Sequence, residues 1–505
     1  MMRRLSDRLR QNATVLRDAA RLLWHDKRGN TFALIAAALI PMLAAIGSGV
    51  DISRAYMAQS RLQGAVDSAA LAGRRSRIGS GMTEATEAAN KFLAFNYPKT
   101  AYGGQESDWQ STVTPPDVNS VQVTASTRIP TTIMRFFGYQ SIPISATSVA
   151  KQNWINTDIL LVLDVTGSMG GSINGTPMMT ALRNAVLDLY DELQEAQTNL
   201  EARGLRLRIG ILPYSSSVNV GRLLRAEDST YLRTPAKYFR CTTYETNKKG
   251  KITGCASGNE AEFDVSARIA SNLQSQWAGC IEERDTVSSI TTSSDYTIPS
   301  GALDQNIDLI PNNSASRWPP LLPAMVDTGT SVSSACPVEA RLLQTWSSRA
   351  NLSTYLDTLA PTGNTYHDLG MIWGARMISP NGVFPNPTEY AGAPVNRHII
   401  FMTDGVMQPS DSVYSSYGIE EFQKRVSGGA GSLTARHNQR FLMACNAARG
   451  LNVPVWTVGF GTGTLSTLQN CTGSSDRSFN ADNADELSEK FKEIGRSIGK
   501  LRIAE

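Results

Sequence analysis

Residues 31–50, TFALIAAALIPMLAAIGSGV, place twenty side chains in a row without one charge. As a helix rising 1.5 Å per residue, this run spans about 30 Å, the depth of one bilayer hydrocarbon core. Such a stretch must either cross a membrane or be buried by the rest of the chain, and its flanks favour the membrane. Residues 1–30 carry eight basic side chains (Arg3, Arg4, Arg8, Arg10, Arg17, Arg21, Lys27, Arg28) against three acids (Asp7, Asp18, Asp26), a charge of +5. The rest of the chain carries 40 basic and 42 acidic groups, a charge of −2. Lys and Arg stay on the cytoplasmic side of a span. The sequence therefore predicts a single-pass inner-membrane protein, with residues 1–30 as a cytoplasmic basic tail. Everything after Asp51 is expected on the periplasmic, extracytoplasmic side. Pro41 predicts a kink, which membrane helices tolerate. A cleaved signal peptide fits less well, because the leader is too long and the apolar run exceeds a signal's h-region. With the positive excess confined to one tail, no folded domain presents a basic face, which argues against a nucleic-acid partner.

The six cysteines, Cys241, Cys255, Cys280, Cys336, Cys445 and Cys471, all lie on the expected outer side. An even number in an oxidising compartment predicts disulfides. Zinc is disfavoured by the lack of any CxxC pair and by only four His in the chain. Cys445 and Cys471 fall on neighbouring predicted elements and are expected to pair. The other pairings stay open.

Past the span, Ile52, Ala55, Tyr56, Leu62, Val66 and Ala69 share one helical stripe. The membrane helix is expected to continue outward as an amphipathic stalk, with a second helix near 83–95. SVQVTASTRI and ISATSVAK alternate apolar and polar residues, as half-buried strands do. Residues 51–152 thus read as stalk helices with a small β-rich subdomain. From Asp158 onward, continuous apolar runs (DILLVLDV, LRLRIGILPY, RHIIFMTDG, VPVWTVGFG) alternate with helical patterns (180–196, 367–378, 433–450, 484–503). That alternation predicts an α/β domain over 153–505, a parallel sheet with helices on both faces. Turn-rich sequence at about 222–350, with four of the six cysteines, reads as a disulfide-bearing insertion.

Three polar clusters lie at or after predicted strand ends: Asp164-Val165-Thr166-Gly167-Ser168, Gly363-Asn364-Thr365, and Thr403-Asp404-Gly405. In open α/β sheets, loops past the strand carboxyl ends converge on one crevice. Two carboxylates with three hydroxyls make a hard oxygen donor set, suited to Mg²⁺, Mn²⁺ or Ca²⁺ rather than zinc. Asp164, Thr166, Ser168, Thr365 and Asp404 are the predicted metal ligands. Asp164→Ala is expected to abolish ion binding with the fold intact, because the motif sits at a strand end.

Asp-x-Thr-x-Ser after the first strand, a later loop Thr and a strand-terminal TDG resemble the metal-ion-dependent adhesion site of von Willebrand factor A domains. The resemblance implies that the hydroxyls of Thr166, Ser168 and Thr365 contact the ion, with Asp164 and Asp404 acting directly or through water. The family's usual first motif is Asp-x-Ser-x-Ser, and Thr166 keeps the hydroxyl. RGN before the apolar run, followed by VDISRAYMAQSRLQGAVDSAALAG, resembles TadE/TadG-type proteins of the Tad (Flp) pilus-assembly system. Several of those join such an anchor to a von Willebrand factor A domain. Pilin-like relatives often carry Glu five residues after a cleavage Gly, whereas here Leu34 stands five after Gly29. A retained anchor is therefore expected.

The resemblances imply a non-enzymatic, metal-dependent interaction module in pilus assembly, anchoring or surface attachment. Its expected partners are envelope or pilus-assembly proteins, engaged through a partner carboxylate on the ion, and the bilayer through residues 31–50. A surface adhesin binding host or matrix ligands is the alternative, and a metal-dependent hydrolase a more remote one. GxxxxGK[ST], HExxH and GxSxG are all missing, and His367, the nearest base, reads as structural.

Overall fold

The helix that holds the uncharged run does not end at residue 50 but continues to Ser76. The computed structural model describes residues 29–77, 82–116, 120–151, 155–463 and 465–500; the basic tail up to residue 28 lies outside them. Contacts divide the chain into two units, residues 1–152 and 153–505.

In the first unit, α1 (Gly29–Ser76) runs unbroken through Pro41. Its apolar half is almost wholly exposed: Leu34, Ile35, Leu39, Ile40, Leu43, Ile46 and Val50 all face outward. Its second half is amphipathic and packs on α2 (Thr83–Asn96) and on an antiparallel sheet of β1 (Gln110–Thr114), β2 (Ser120–Pro130) and β3 (Ser141–Lys151). The buried stripe is Ala55, Ala58, Leu62, Ala65, Val66, Ala69 and Ala70, at i, i+3, i+4 and i+7 spacing. Ile52 and Tyr56, expected on this stripe, are instead 55% and 75% exposed. Each follows directly on a buried residue, Asp51 and Ala55, and so lies about 100° round the helix from the stripe, on the exposed side of α1. Small residues set the helix separation: a Cβ on Gly73 would lie 3.0 Å from the Ala85 carbonyl oxygen. Alternation in β2 puts Val121, Val123, Ala125 and Ile129 against the helices.

In the second unit, β4 (Asn156–Asp164) is buried along its whole length. There follow α3 (Met178–Glu201), β5 (Leu207–Tyr214), the hairpin β6 (Ala236–Thr246) and β7 (Ile252–Phe263), β8 (Arg341–Gln344), α4 (Arg349–Leu356), α5 (His367–Ile378) and β9 (Ala393–Thr403). The chain ends with α6 (Leu433–Gly450), β10 (Val455–Phe460), α7 (Ser466–Thr472), β11 (Ser478–Ala481) and α8 (Ala484–Lys500). The main sheet runs β8-β5-β4-β9-β10-β11. Along this order all pairs are parallel except the edge pair β8–β5, and a short strand, Glu389–Tyr390, adds an antiparallel pair at the start of β9. The domain is thus an α/β fold. Alternate residues of β4 feed two cores: Leu160 and Val162 pack with α5 and α6, and Ile159, Leu161 and Leu163 with α3, α4 and α8.

Residues 222–350 are part of this core. They supply the sheet's edge strand β8 and cover α5, all twelve residues of which are buried. Trp277, Trp318 and Cys280 join the same cluster as α5. Arg376 of α5 is fully buried and bonds both Glu283 carboxylate oxygens, at 3.0 and 3.1 Å. Disulfides link Cys241–Cys255 across the hairpin, Cys280–Cys336, and Cys445–Cys471 between α6 and α7.

Candidate metal centre

The chain leaves β4 toward β5 on one side and returns to β9 on the other, so strand order reverses at β4. The crevice past the carboxyl ends of β4 and β9 is therefore the topological switch point, where α/β proteins place ligands. Register aligns the pieces: Leu163 pairs with Met402, and Asp164 with Tyr214. Asp164 and Asp404 thus leave neighbouring strands into the same crevice.

Asp164 Oδ1 accepts the Thr166 N–H at 2.8 Å, the local turn an Asp two residues upstream favours. That turn leads into a short 3₁₀ segment, Gly167–Gly170. Thr166 Oγ1 lies 3.0 Å from Ser168 Oγ, and Ser168 donates to Asp404 Oδ1 at 2.8 Å. Four predicted residues, Asp164, Thr166, Ser168 and Asp404, form one hydrogen-bonded chain. Ser168 is exposed and Asp404 half-buried, so the chain opens to solvent.

Thr365 is placed differently. It is buried and joins through the backbone of its loop. The Gly167 N–H donates to the Gly363 carbonyl at 2.9 Å, and the Thr362 N–H to the Val165 carbonyl at 2.8 Å. Gly363 has φ +73°, and a Cβ there would sit 2.6 Å from both Ala335 Cβ and Ser216 Oγ. Only glycine lets the loop close on the turn without strain.

Asp164 is not peripheral, contrary to the expectation that its loss would spare the fold. It is fully buried, and its Oδ2 accepts from Thr403 Oγ1 at 2.7 Å and Tyr214 Oη at 3.2 Å. His367 Nε2 lies 2.9 Å from Thr403 Oγ1. Because the Thr403 proton goes to the carboxylate, its oxygen accepts from Nε2–H. Burial holds the His367 imidazole neutral, down to about 4, and its Nδ1 has no hydrogen-bond partner. Its role is to position Thr403. Burial and the Asp164 charge push the Tyr214 phenol well above its ordinary range, so it remains a donor. Tyr214 escaped the sequence reading; its one signal is its place as the last residue of the second apolar strand. Burial, then the Asp164 charge, lifts the Asp404 carboxyl to about 7.

Among the described residues, no three His, Cys, Asp or Glu side chains gather as a metal cluster. Any ion here would rest on two carboxylates, hydroxyls and water. The donors present fit a hard cation of that kind: all are oxygens, and the raised Asp404 carboxyl marks a place where added positive charge is favourable.

Residues 29–88 match the family model described as putative Flp pilus-assembly TadE/G-like. No curated protein matches the sequence. Among solved structures, the pilus adhesin SpaC from Lactobacillus rhamnosus GG is similar at 13% identity and TM-score 0.34, covering 78% of this chain and 35% of its own. The chain therefore spans about a third of that adhesin. The vWF domain of the type V pili tip protein Mfa5 from Porphyromonas gingivalis is similar at 10% identity and TM-score 0.32, covering 70% and 97%. A von Willebrand factor type A protein from Catenulispora acidiphila is similar at 10% identity and TM-score 0.29, covering 77% and 49%. These likenesses are distant, and the fold assignment rests on strand order. The family match covers α1 and the start of α2 alone, residues 29–88, where the chain is similar to TadE/G-like proteins.

Proposed function

We propose that the protein is a membrane-anchored, envelope-facing interaction module whose α/β domain engages pilus-assembly or envelope partners through a divalent ion, Mg²⁺ in the first instance. The observation that carries this reading is the hydrogen-bonded chain Asp164–Thr166–Ser168–Asp404, assembled at the switch point and open at Ser168. The TadE/G-like match on the anchor supports the pilus context, and the exposed apolar half of α1 supports a span. A bound ion would supply a positive charge that an acidic partner side chain can approach. Ser168 and Asp404 would hold it at the rim, and buried Asp164, fixed by Tyr214 and Thr403, would set the charge beneath. His367 is buried with its Nε2 engaged by Thr403, and so is not presented as a base to a water in the crevice.

Calorimetric titration of Mg²⁺ into the detergent-solubilised full chain tests the reading. Wild type should bind and Asp404→Ala should not, while Thr166→Ser, which keeps the hydroxyl, should bind within about threefold of wild type. Equal binding by wild type and Asp404→Ala would move the ion elsewhere and remove the chemical basis of the proposal.

A further inference from the structure

The loop between β2 and β3 is tied to α1 where the apolar run ends. Both Asp51 carboxylate oxygens accept backbone N–H groups: Thr132 at 2.9 Å, and Ile133 and Met134 at 2.8 Å. The Ile133 side chain lies against Gly47, where a Cβ would come within 2.2 Å of Ile133 Cγ2. Gly47 sits three residues before the end of the uncharged run, so the loop is held at the level where the span leaves the hydrocarbon. The loop closes on itself through Thr131 N–H to the Gln140 carbonyl and Tyr139 N–H to the Met134 carbonyl, both 3.1 Å, with Gly138 at φ +94°. Three aromatic side chains are left outward on this tether: Phe136 76% exposed, Phe137 46% and Tyr139 63%. The Arg135 guanidinium stacks 5.2 Å from the Phe136 ring centroid. On α1, Ile46, Val50, Ile52, Tyr56 and Met57 are likewise exposed, on either side of this attachment.

We propose that the loop at 133–139 is a second membrane contact, seated in the phospholipid headgroup–acyl boundary on the outer side of the span. Aromatic side chains favour that boundary, where one edge meets hydrocarbon and the other water. An arginine there can pair with lipid phosphate while its stem stays apolar. The occupant is lipid because the aromatic tip is held at the end of the uncharged run, by three backbone bonds to Asp51 and by Ile133 against Gly47. The contact makes α1 leave the bilayer at a set angle, since helix and loop are immersed together. The inference rests on the reading of residues 31–50 as a span.

Single thiols test it, because all six native cysteines are in disulfides. Phe136→Cys, Tyr139→Cys, Ile40→Cys and Ser111→Cys full-length chains are nitroxide-labelled in vesicles of phosphatidylethanolamine with a minority of phosphatidylglycerol. Collisions with oxygen, which concentrates in lipid, are compared with those of a water-soluble nickel complex. The oxygen-to-nickel ratio at 136 and 139 should exceed that at 111 several-fold and fall below that at 40. A ratio at 136 and 139 equal to that at 111, with 40 still lipid-like, overturns the loop contact alone. Low collision with both reagents means that protein covers the loop, which also overturns it. A water-like ratio at 40 overturns the span reading instead.

Discussion

Asp164 combines two roles that the sequence presents as one. It is a candidate ion ligand, and it is also the buried acceptor for the Thr166 N–H, the Thr403 hydroxyl and the Tyr214 phenol. Removing a buried acceptor leaves its donors unsatisfied, at about 1–3 kcal/mol for each stranded group. Asp164→Ala should therefore lower the urea midpoint clearly, whereas half-exposed Asp404→Ala should leave it nearly unchanged; equal midpoints would contradict the network. His367 gives the network a pH signature. Its folded-state value is depressed to about 4 from 6.5 by burial. The stability it contributes is complete above pH 6.5 and is lost as pH falls toward 4, where the unfolded chain takes up the proton first. The loss amounts to about 3 kcal/mol by the bottom of that window. Unfolding between pH 7 and 4.5, wild type against His367→Gln, should show a smaller decline in the variant.

At the scale of elements, α5 shows why residues 222–350 matter. A helix in a doubly wound fold normally keeps one face in water, yet every residue of α5 is buried, including Arg376. Its charge is met by Glu283, which also accepts from Trp373 Nε1. A buried charge that loses its partner is strongly destabilising, by about 3–5 kcal/mol. Glu283→Ala should cost that much in urea unfolding, and the double variant Glu283→Ala with Arg376→Met should recover part of it. If Glu283→Ala unfolds like wild type, the stretch does not lock α5. The helix pattern at 367–378 is plain in the sequence; what covers its outer face is not, because Glu283 lies about ninety positions earlier in turn-rich sequence without periodicity.

For the whole molecule, the proposed orientation rests on the charge asymmetry across the proposed span. A reporter fused after Glu505 that works only outside the cytoplasm should be active, since the proposed orientation keeps the +5 tail inside. Activity of a cytoplasm-dependent reporter at that position would invert the topology. Thiol labelling of denatured, unreduced protein should find no free cysteine, in keeping with three disulfides.

The sequence alone determined the features carried by near neighbours in the chain. Periodicity marked α1, α2, α3, α5, α6, α8 and the strands β2 and β3, because 3.6- and 2-residue repeats are read over a few residues, and continuous apolar runs marked β4, β5, β9 and β10. Uniform burial of β4, and of β9 from Arg397 onward, followed from their unbroken apolar runs. The oxygen donors of the site were likewise legible as motifs at strand ends. Tertiary structure decided everything that depends on which distant segments meet. It joined Ser168 to Asp404 across 236 positions, set Tyr214 and His367 around Asp164, fixed the remaining disulfide pairings, and tied the aromatic loop to Asp51. It also drew the edge strand β8 and the cover of α5 from a stretch whose sequence reads as an insertion. The physical reason is that periodicity says which face of an element is apolar but not what buries it; that is set by strand order, here by the reversal at β4, and by packing between segments far apart in the chain.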